Sequence, residues 1–167
     1  MQNDRRRQRA GGLSLVETLV AMVIIGLTIA AIVAGTAAFT QAGGAGLDLS
    51  TAEFLIEEIR ELTASLPVID PENGTGTFGP ESGEDTVAAY DDVDDFDGAS
   101  FSPPIDIHRN PLHEFATFTQ RITVENVDVA DLTQVRGDHT TDFVRVTVEI
   151  VRHGQVISSC SWIRTRS

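Results

Sequence analysis

Residues 5 to 27 read "RRRQRAGGLSLVETLVAMVIIGL". Four Arg fall within five residues just before an apolar run, and a single carboxylate, Glu17, sits inside that run. From Thr18 to Phe39 there are 22 residues with no ionisable side chain. As a helix rising about 1.5 Å per residue, this stretch spans roughly 33 Å, close to the hydrocarbon thickness of a bilayer. The Arg cluster stays on the cytoplasmic side, which places the N-terminus inside and sends the C-terminal part across.

A cleavable secretory signal fits poorly, because its apolar core runs about 7–15 residues and ends at a small-residue site. No typical twin-Arg continuation follows the arginines. A plain signal anchor accommodates the apolar run but explains neither "AGG" before it nor Glu17 within it. An acidic side chain at mid-membrane costs about 2.5–3.5 kcal/mol on insertion scales, and less near an interface. Glu17 is therefore either a tolerated interfacial acid or one half of an ion pair. Cleavage after Gly12 would supply the other half, an α-amino group about one helical turn away, and a neighbouring subunit's amine is the alternative. Opposite charges paired in a low dielectric offset desolvation and specify register.

The segment "GGLSLVETLVAMVIIGL" resembles the class III signal of type IV pilins and type II secretion pseudopilins. The resemblance implies that Gly12 is the last leader residue, Leu13 the mature and N-methylated terminus, and Glu17 the assembly carboxylate. The first mature residue of that family is more often Phe, and here it is Leu. The partners it implies are a prepilin peptidase, other pilin or pseudopilin subunits and inner-membrane lipid. The implied location is single-pass in a bacterial inner membrane, with the C-terminal domain periplasmic or extracellular.

After the span, Gly43, Gly44 and Gly46 each weaken a helix by roughly 1 kcal/mol relative to Ala, so 40–66 is expected to start as a flexible joint. Ser50 and Glu53 have the spacing of a capping box, predicting a new helix start. Leu55, Ile59, Leu62 and Leu66 then recur at helical spacing, giving one apolar face for a core, and Pro67 ends the helix.

Residues 67–114 change character. All six prolines lie between 67 and 111, and no Lys or Arg interrupts the acidic run between Arg60 and Arg109. The region reads as a long loop, of the kind that is functional or disordered. Within it, "YDDVDDFDG" places Asp91, Asp92, Asp94, Asp95 and Asp97 within seven residues. Five such carboxylates repel one another unless water or a cation screens them. Two readings stand: a solvated acidic loop pinned by Tyr90 and Phe96, or a Ca²⁺ site built from flexible oxygen ligands. The spacing is not that of an EF-hand, because counting from Asp92 the fifth position is Phe96. Together with "AEFLIEEIRE", this stretch is similar to minor pilins of the mannose-sensitive haemagglutinin kind.

The remainder reads as strands. Phe118, Gln120, Ile122 and Val124 alternate within 115–129, and Val144, Val146, Val148 and Ile150 alternate with Arg145, Thr147 and Glu149 within 142–154. Residues 155–165 pair back through a turn at His153-Gly154-Gln155. The buried sheet face is expected to meet the apolar face of the 50–66 helix. The fold class expected is α+β and pilin-like, a long N-terminal helix on a small antiparallel sheet. Its parts are a leader (1–12), a transmembrane helix (13–39), a joint with an amphipathic helix (40–66), an acidic loop region (67–114) and a sheet (115–167).

A net charge of −13 argues against nucleic acid as a partner, because phosphate binding rests on basic patches. Cys160 is the sole cysteine, so no intrachain disulfide forms, and in a strand it reads as a small buried hydrophobe. His108, His113, His139 and His153 show no metal-ligand spacing and read as loop or surface residues. With no nucleophile elbow or phosphate loop, catalysis is not expected. The leading expectation is a non-enzymatic minor pilin or pseudopilin with no obligatory cofactor. The alternatives are a filament-tip module that binds Ca²⁺ or another ligand, and a plain bitopic membrane-anchored protein.

Overall fold

A computed structural model describes residues 14–71, 74 and 77–166. The leader, Gly12 and Leu13 lie outside the described residues. The chain divides into two compact units, Met1–Ala45 and Gly46–Ser167. Helix α1 runs over Leu15–Ala64. It runs through Gly43, Gly44 and Gly46 and past Ser50, so the new helix start expected at Ser50 is overturned, while the division between the two units falls within the glycine stretch. Three helical glycines cost about 3 kcal/mol together. Breaking one helix into two would orphan a further set of terminal N–H and C=O groups, which is the larger penalty.

In the first unit the described residues are exposed throughout, with Leu15 at 77% and Phe39 at 83%, so no described residue of the unit covers this apolar surface. By length and composition this one helix is apolar enough to cross a membrane.

The second unit is built around the last turns of α1. Ala52, Leu55, Ile56, Ile59, Leu62 and Thr63 are buried, spaced three and four apart as one helical face requires. Glu53, Glu57 and Glu61 point to solvent, as their position off that face dictates. Strands β1 (Ser100–Phe101), β2 (Phe118–Asn126), β3 (Phe143–Arg152) and β4 (Gln155–Thr165) form one antiparallel sheet in the order β1-β2-β3-β4. Strand β2 is shorter than the 115–129 run, because Phe115 closes a short 3₁₀ turn over His113–Phe115 instead.

Period-two alternation sends Ile122 and Val124 of β2 and Val144, Val146, Val148 and Ile150 of β3 into the core with Leu55 and Ile59 of α1. Full burial of each such side chain contributes about 1.5–3 kcal/mol. On the opposite face Arg145 pairs with its cross-strand neighbour Glu125 at 2.7 Å, and the Thr147 and Ser161 hydroxyls meet at 2.9 Å. The β3–β4 turn falls where expected but takes only two residues, His153 (φ 51°) and Gly154 (φ 78°), both with the positive φ that such a hairpin demands, and Gln155 already opens β4. A bulge between Ile150 and Val151 shifts the register of β4. Beyond it, Cys160 and Trp162 lie half-buried against the core.

Arg164 lies on this same face, and its guanidinium donates to the carbonyls of Thr63 and, at 3.0 Å, Leu66. The last turn of α1 carries no basic residue, so a strand about 100 residues later supplies its C-terminal cap. Arg60 stacks over the Trp162 ring at 5.1 Å and reaches Cys160 Sγ at 3.6 Å. At the other end of the same face, Arg152 pairs with Asp48 and covers the Phe118 ring at 5.0 Å.

Candidate functional site

Two places in the chain carry chemistry that packing alone does not require. The first is the start of α1. Ser14 precedes the helix, and its Oγ accepts the Glu17 backbone N–H at 3.2 Å. Ser14 is thus the N-cap and Glu17 the third helical residue, the arrangement expected farther along at Ser50 and Glu53. An acid here also meets the positive end of the helix dipole. The Glu17 side chain is exposed, one carboxylate at the head of a long apolar surface.

The second is the acidic segment. Val93 and Phe96, both fully buried, fix it to the core, and the Val93 N–H donates to the Pro67 carbonyl at 3.0 Å. Tyr90 stacks edge-on to Phe96 at 5.1 Å. Between the two apolar anchors the chain makes a 3₁₀ turn over Asp94–Phe96, which draws the intervening acids inward. Asp92 is 0% exposed, and Asp94 and Asp95 are 1% exposed. The expected solvated loop is therefore overturned: Tyr90 and Phe96 do pin the segment, but they carry three carboxylates below the surface with them.

Each buried acid spends one oxygen on backbone amides. Asp92 Oδ1 accepts from Asp94 at 2.8 Å and Asp95 at 3.2 Å, while Asp95 Oδ2 accepts from Asp91 at 2.8 Å and Asp92 at 3.2 Å. This reciprocal pair closes the turn, as short acidic side chains commonly do. Asp94 Oδ1 accepts the Gly79 N–H at 2.8 Å, which Gly79 presents by adopting φ 90°.

Asp92, Asp94 and Asp95 offer oxygens within 4.8 Å of one another, and Asp95 forms a second such group with Glu81 and Glu84. Asp91 and Asp97 stand outside both groups. Asp97 is exposed and its Oδ1 accepts the Val124 N–H at 2.8 Å, fastening the segment to β2. Glu81 and Glu84 escaped sequence reading because their only signal was a short spacing in a loop.

The charge in this cluster is scarcely offset. Among the described residues no Arg pairs with it, and the one ion-pair contact is His139 Nε2, 3.8 Å from Asp94 Oδ2. His139 lies in a loop, as expected, but not at the surface. Its side chain is 12% exposed, its Nε2 lies 2.8 Å from the Thr77 carbonyl, and its ring packs edge-on to Phe78 at 5.2 Å. Burial, reinforced by the mutual repulsion of the neighbouring acids, pushes the Asp92 and Asp94 carboxyls up to about 7 and that of Asp95 up to about 6. Glu81 rises to about 7, from burial first and then its contact with Glu84. Asp92 Oδ2, Asp95 Oδ1 and Glu81 Oε1 are buried without a hydrogen-bond partner among the described residues. Orphaned oxygens of this kind call for a proton or a cation.

No family model, curated protein or solved structure matches the chain.

Proposed function

We propose that the chain is a non-enzymatic minor pilin or pseudopilin subunit, processed by a prepilin peptidase and assembled into a type IV pilus or a type II secretion filament. The observation that supports this reading is α1. Its first half is an apolar surface that no described residue of its unit covers, headed by one carboxylate, and its last turns join the core of a small α+β domain. Such a helix is held first by lipid and then by the same helices of other subunits. Packing apolar face to apolar face conserves the favourable burial, while Glu17 supplies the element that lipid cannot satisfy.

In this reading cleavage after Gly12 frees the Leu13 amine, which is N-methylated. Glu17 neutralises the amine of its own or a neighbouring subunit, so that correct axial register is the one in which both charges are paired. The Arg cluster at 5–9 keeps the leader cytoplasmic, where the peptidase acts on it. The acidic domain, Gly46–Ser167, stands on the far side of the inner membrane and contacts other subunits there.

The test is co-expression with a prepilin peptidase in a bacterial host, followed by intact-mass and peptide mass spectrometry of the mature terminus. A terminus at Leu13, methylated, is the expected result. An uncleaved chain, where a control prepilin is processed, overturns the reading in favour of a simple bitopic anchor.

A further inference from the structure

The buried acidic cluster goes beyond anything filament assembly asks of the chain. We propose that Asp92, Asp94 and Asp95, joined by Glu81 and Glu84, form a binding site for a divalent cation of the calcium type. The inference stands independently of the pilin reading, since all five residues belong to the second unit.

Three observations carry it. First, the carboxylates converge: both groups of three place their oxygens within 4.8 Å of one another, sharing Asp95. Two ligands on one Ca²⁺ are separated by at most about twice the metal–oxygen distance, or roughly 5 Å, so the oxygens within each group are in reach of one ion, with Asp95 common to both groups. Second, Asp92 Oδ2 and Asp95 Oδ1 have no donor among the described residues, although Asp92 is 0% and Asp95 1% exposed. A network of acids held only by its own hydrogen bonds would point its spare oxygens at amides. Third, among the described residues the one ion-pair contact to the group is His139, 3.8 Å from Asp94. Its Nε2 already faces the Thr77 carbonyl, so that nitrogen is a donor and not a ligand.

The donor set selects the cation class. It is all carboxylate, without sulfur or an available imidazole nitrogen, which favours hard ions over zinc or copper. The ligands come from a segment that bends around a single short turn and a glycine-flanked approach, and such adaptable loops suit the larger ion and its six to eight oxygens better than the rigid octahedron of Mg²⁺. Bound there, the ion ties 77–84 to 91–97 and, through Asp94 and His139, to the loop between β2 and β3.

The experiment uses the full chain in detergent micelles, stripped with a chelator and titrated with CaCl₂ at pH 7.5 by calorimetry. A parallel titration with Tb³⁺, a luminescent stand-in for Ca²⁺, reads location. Tyr90 is the sole tyrosine and packs on Phe96 beside the cluster, so it serves as the sensitiser. Uptake of Ca²⁺ and Tb³⁺ emission displaced by Ca²⁺ are expected, with the emission falling several-fold in Tyr90→Phe while Ca²⁺ affinity stays the same. Asp92→Asn and Asp95→Asn are expected to weaken binding at least tenfold, whereas Asp85→Asn, exposed and outside the cluster, leaves it unchanged. Should either cluster variant fail to fold, the Tyr90→Phe comparison on folded protein still decides. No uptake at 5 mM Ca²⁺ (about the weak end of protein calcium sites) by a chain with native Trp162 fluorescence overturns the proposal and leaves shared protons to neutralise the acids. Uptake with Tb³⁺ emission indifferent to Tyr90→Phe overturns it equally, by placing the ion elsewhere.

Discussion

Replacing Gln120 with Leu puts a number on one polar contact in the core. Gln120 is 0% exposed and occupies a core-facing position of β2, between Phe118 and Ile122. Its Nε2 donates to the carbonyls of Leu55 at 3.0 Å and Ile105 at 3.1 Å, and its Oε1 accepts the Ile105 N–H at 2.8 Å. One side chain thus joins α1, β2 and the segment entering the Ile105–Pro111 bridge. Leucine fills similar space but leaves both polar groups of Ile105 without these partners, and Ile105 is itself only 5% exposed. Each orphaned group costs about 1–3 kcal/mol, while the added apolar burial returns about 2 kcal/mol. The net expected loss is about 2 kcal/mol, because the Leu55 carbonyl keeps its place in the helical ladder. Urea unfolding of the chain in micelles, followed by Trp162 as the sole tryptophan, reads this unit alone. With a slope of about 1.5 kcal/mol per molar, the midpoint should fall by roughly 1.3 M. A midpoint unchanged within about 0.3 M, or raised, would refute the claim that these hydrogen bonds outweigh an apolar replacement.

Three further outcomes follow from particular contacts. Arg164→Met should lower stability by about 1–2 kcal/mol through loss of the carbonyl cap on α1, and Arg164→Lys should recover part of it; equal losses in both would mean that guanidinium geometry alone matters. On the proposed pilin reading, Glu17→Ala should abolish filament incorporation while leaving membrane insertion and helix content intact, measured by fractionation and circular dichroism; normal assembly by the variant would remove the proposed docking role. The Arg136 guanidinium beside Asp128 holds its carboxyl below the usual range, so this pair adds stability above the ordinary carboxylate pKa and loses it as pH falls through the depressed one. Arg136→Ala should raise the Asp128 titration towards the ordinary range in an NMR pH series, the Ala130 and Asp131 amides keeping part of the depression, with little change in global stability because the pair is exposed.

Where period and local chemistry suffice, this protein is legible from its residues alone. The apolar run from Thr18 needs only length and the absence of charge, and the strands need only alternation, which is why Ile122, Val124, Val146 and Val148 fall where the pattern puts them. The His153-Gly154 turn is legible for the same reason, since backbone sterics act over two residues. The Ser50–Glu53 spacing misleads because a capping pattern is local, whereas a second helix start would leave a further set of backbone groups unsatisfied.

The candidate site and the core's polar contacts depend on tertiary structure. Gln120 sits in an apolar stripe and stays buried because Ile105 and Leu55, far away in sequence, satisfy it. Arg164 caps a helix about 100 residues before it. Asp92, Asp94 and Asp95 look solvated by composition, yet Val93 and Phe96 seek the core and their neighbours cannot stay behind. Glu81, Glu84 and His139 then arrive from separate loops. Sequence records which side chains prefer water, but when two anchors in one short turn are apolar, connectivity overrides the preference of the charges between them. Only the folded chain shows which oxygens are left without a partner.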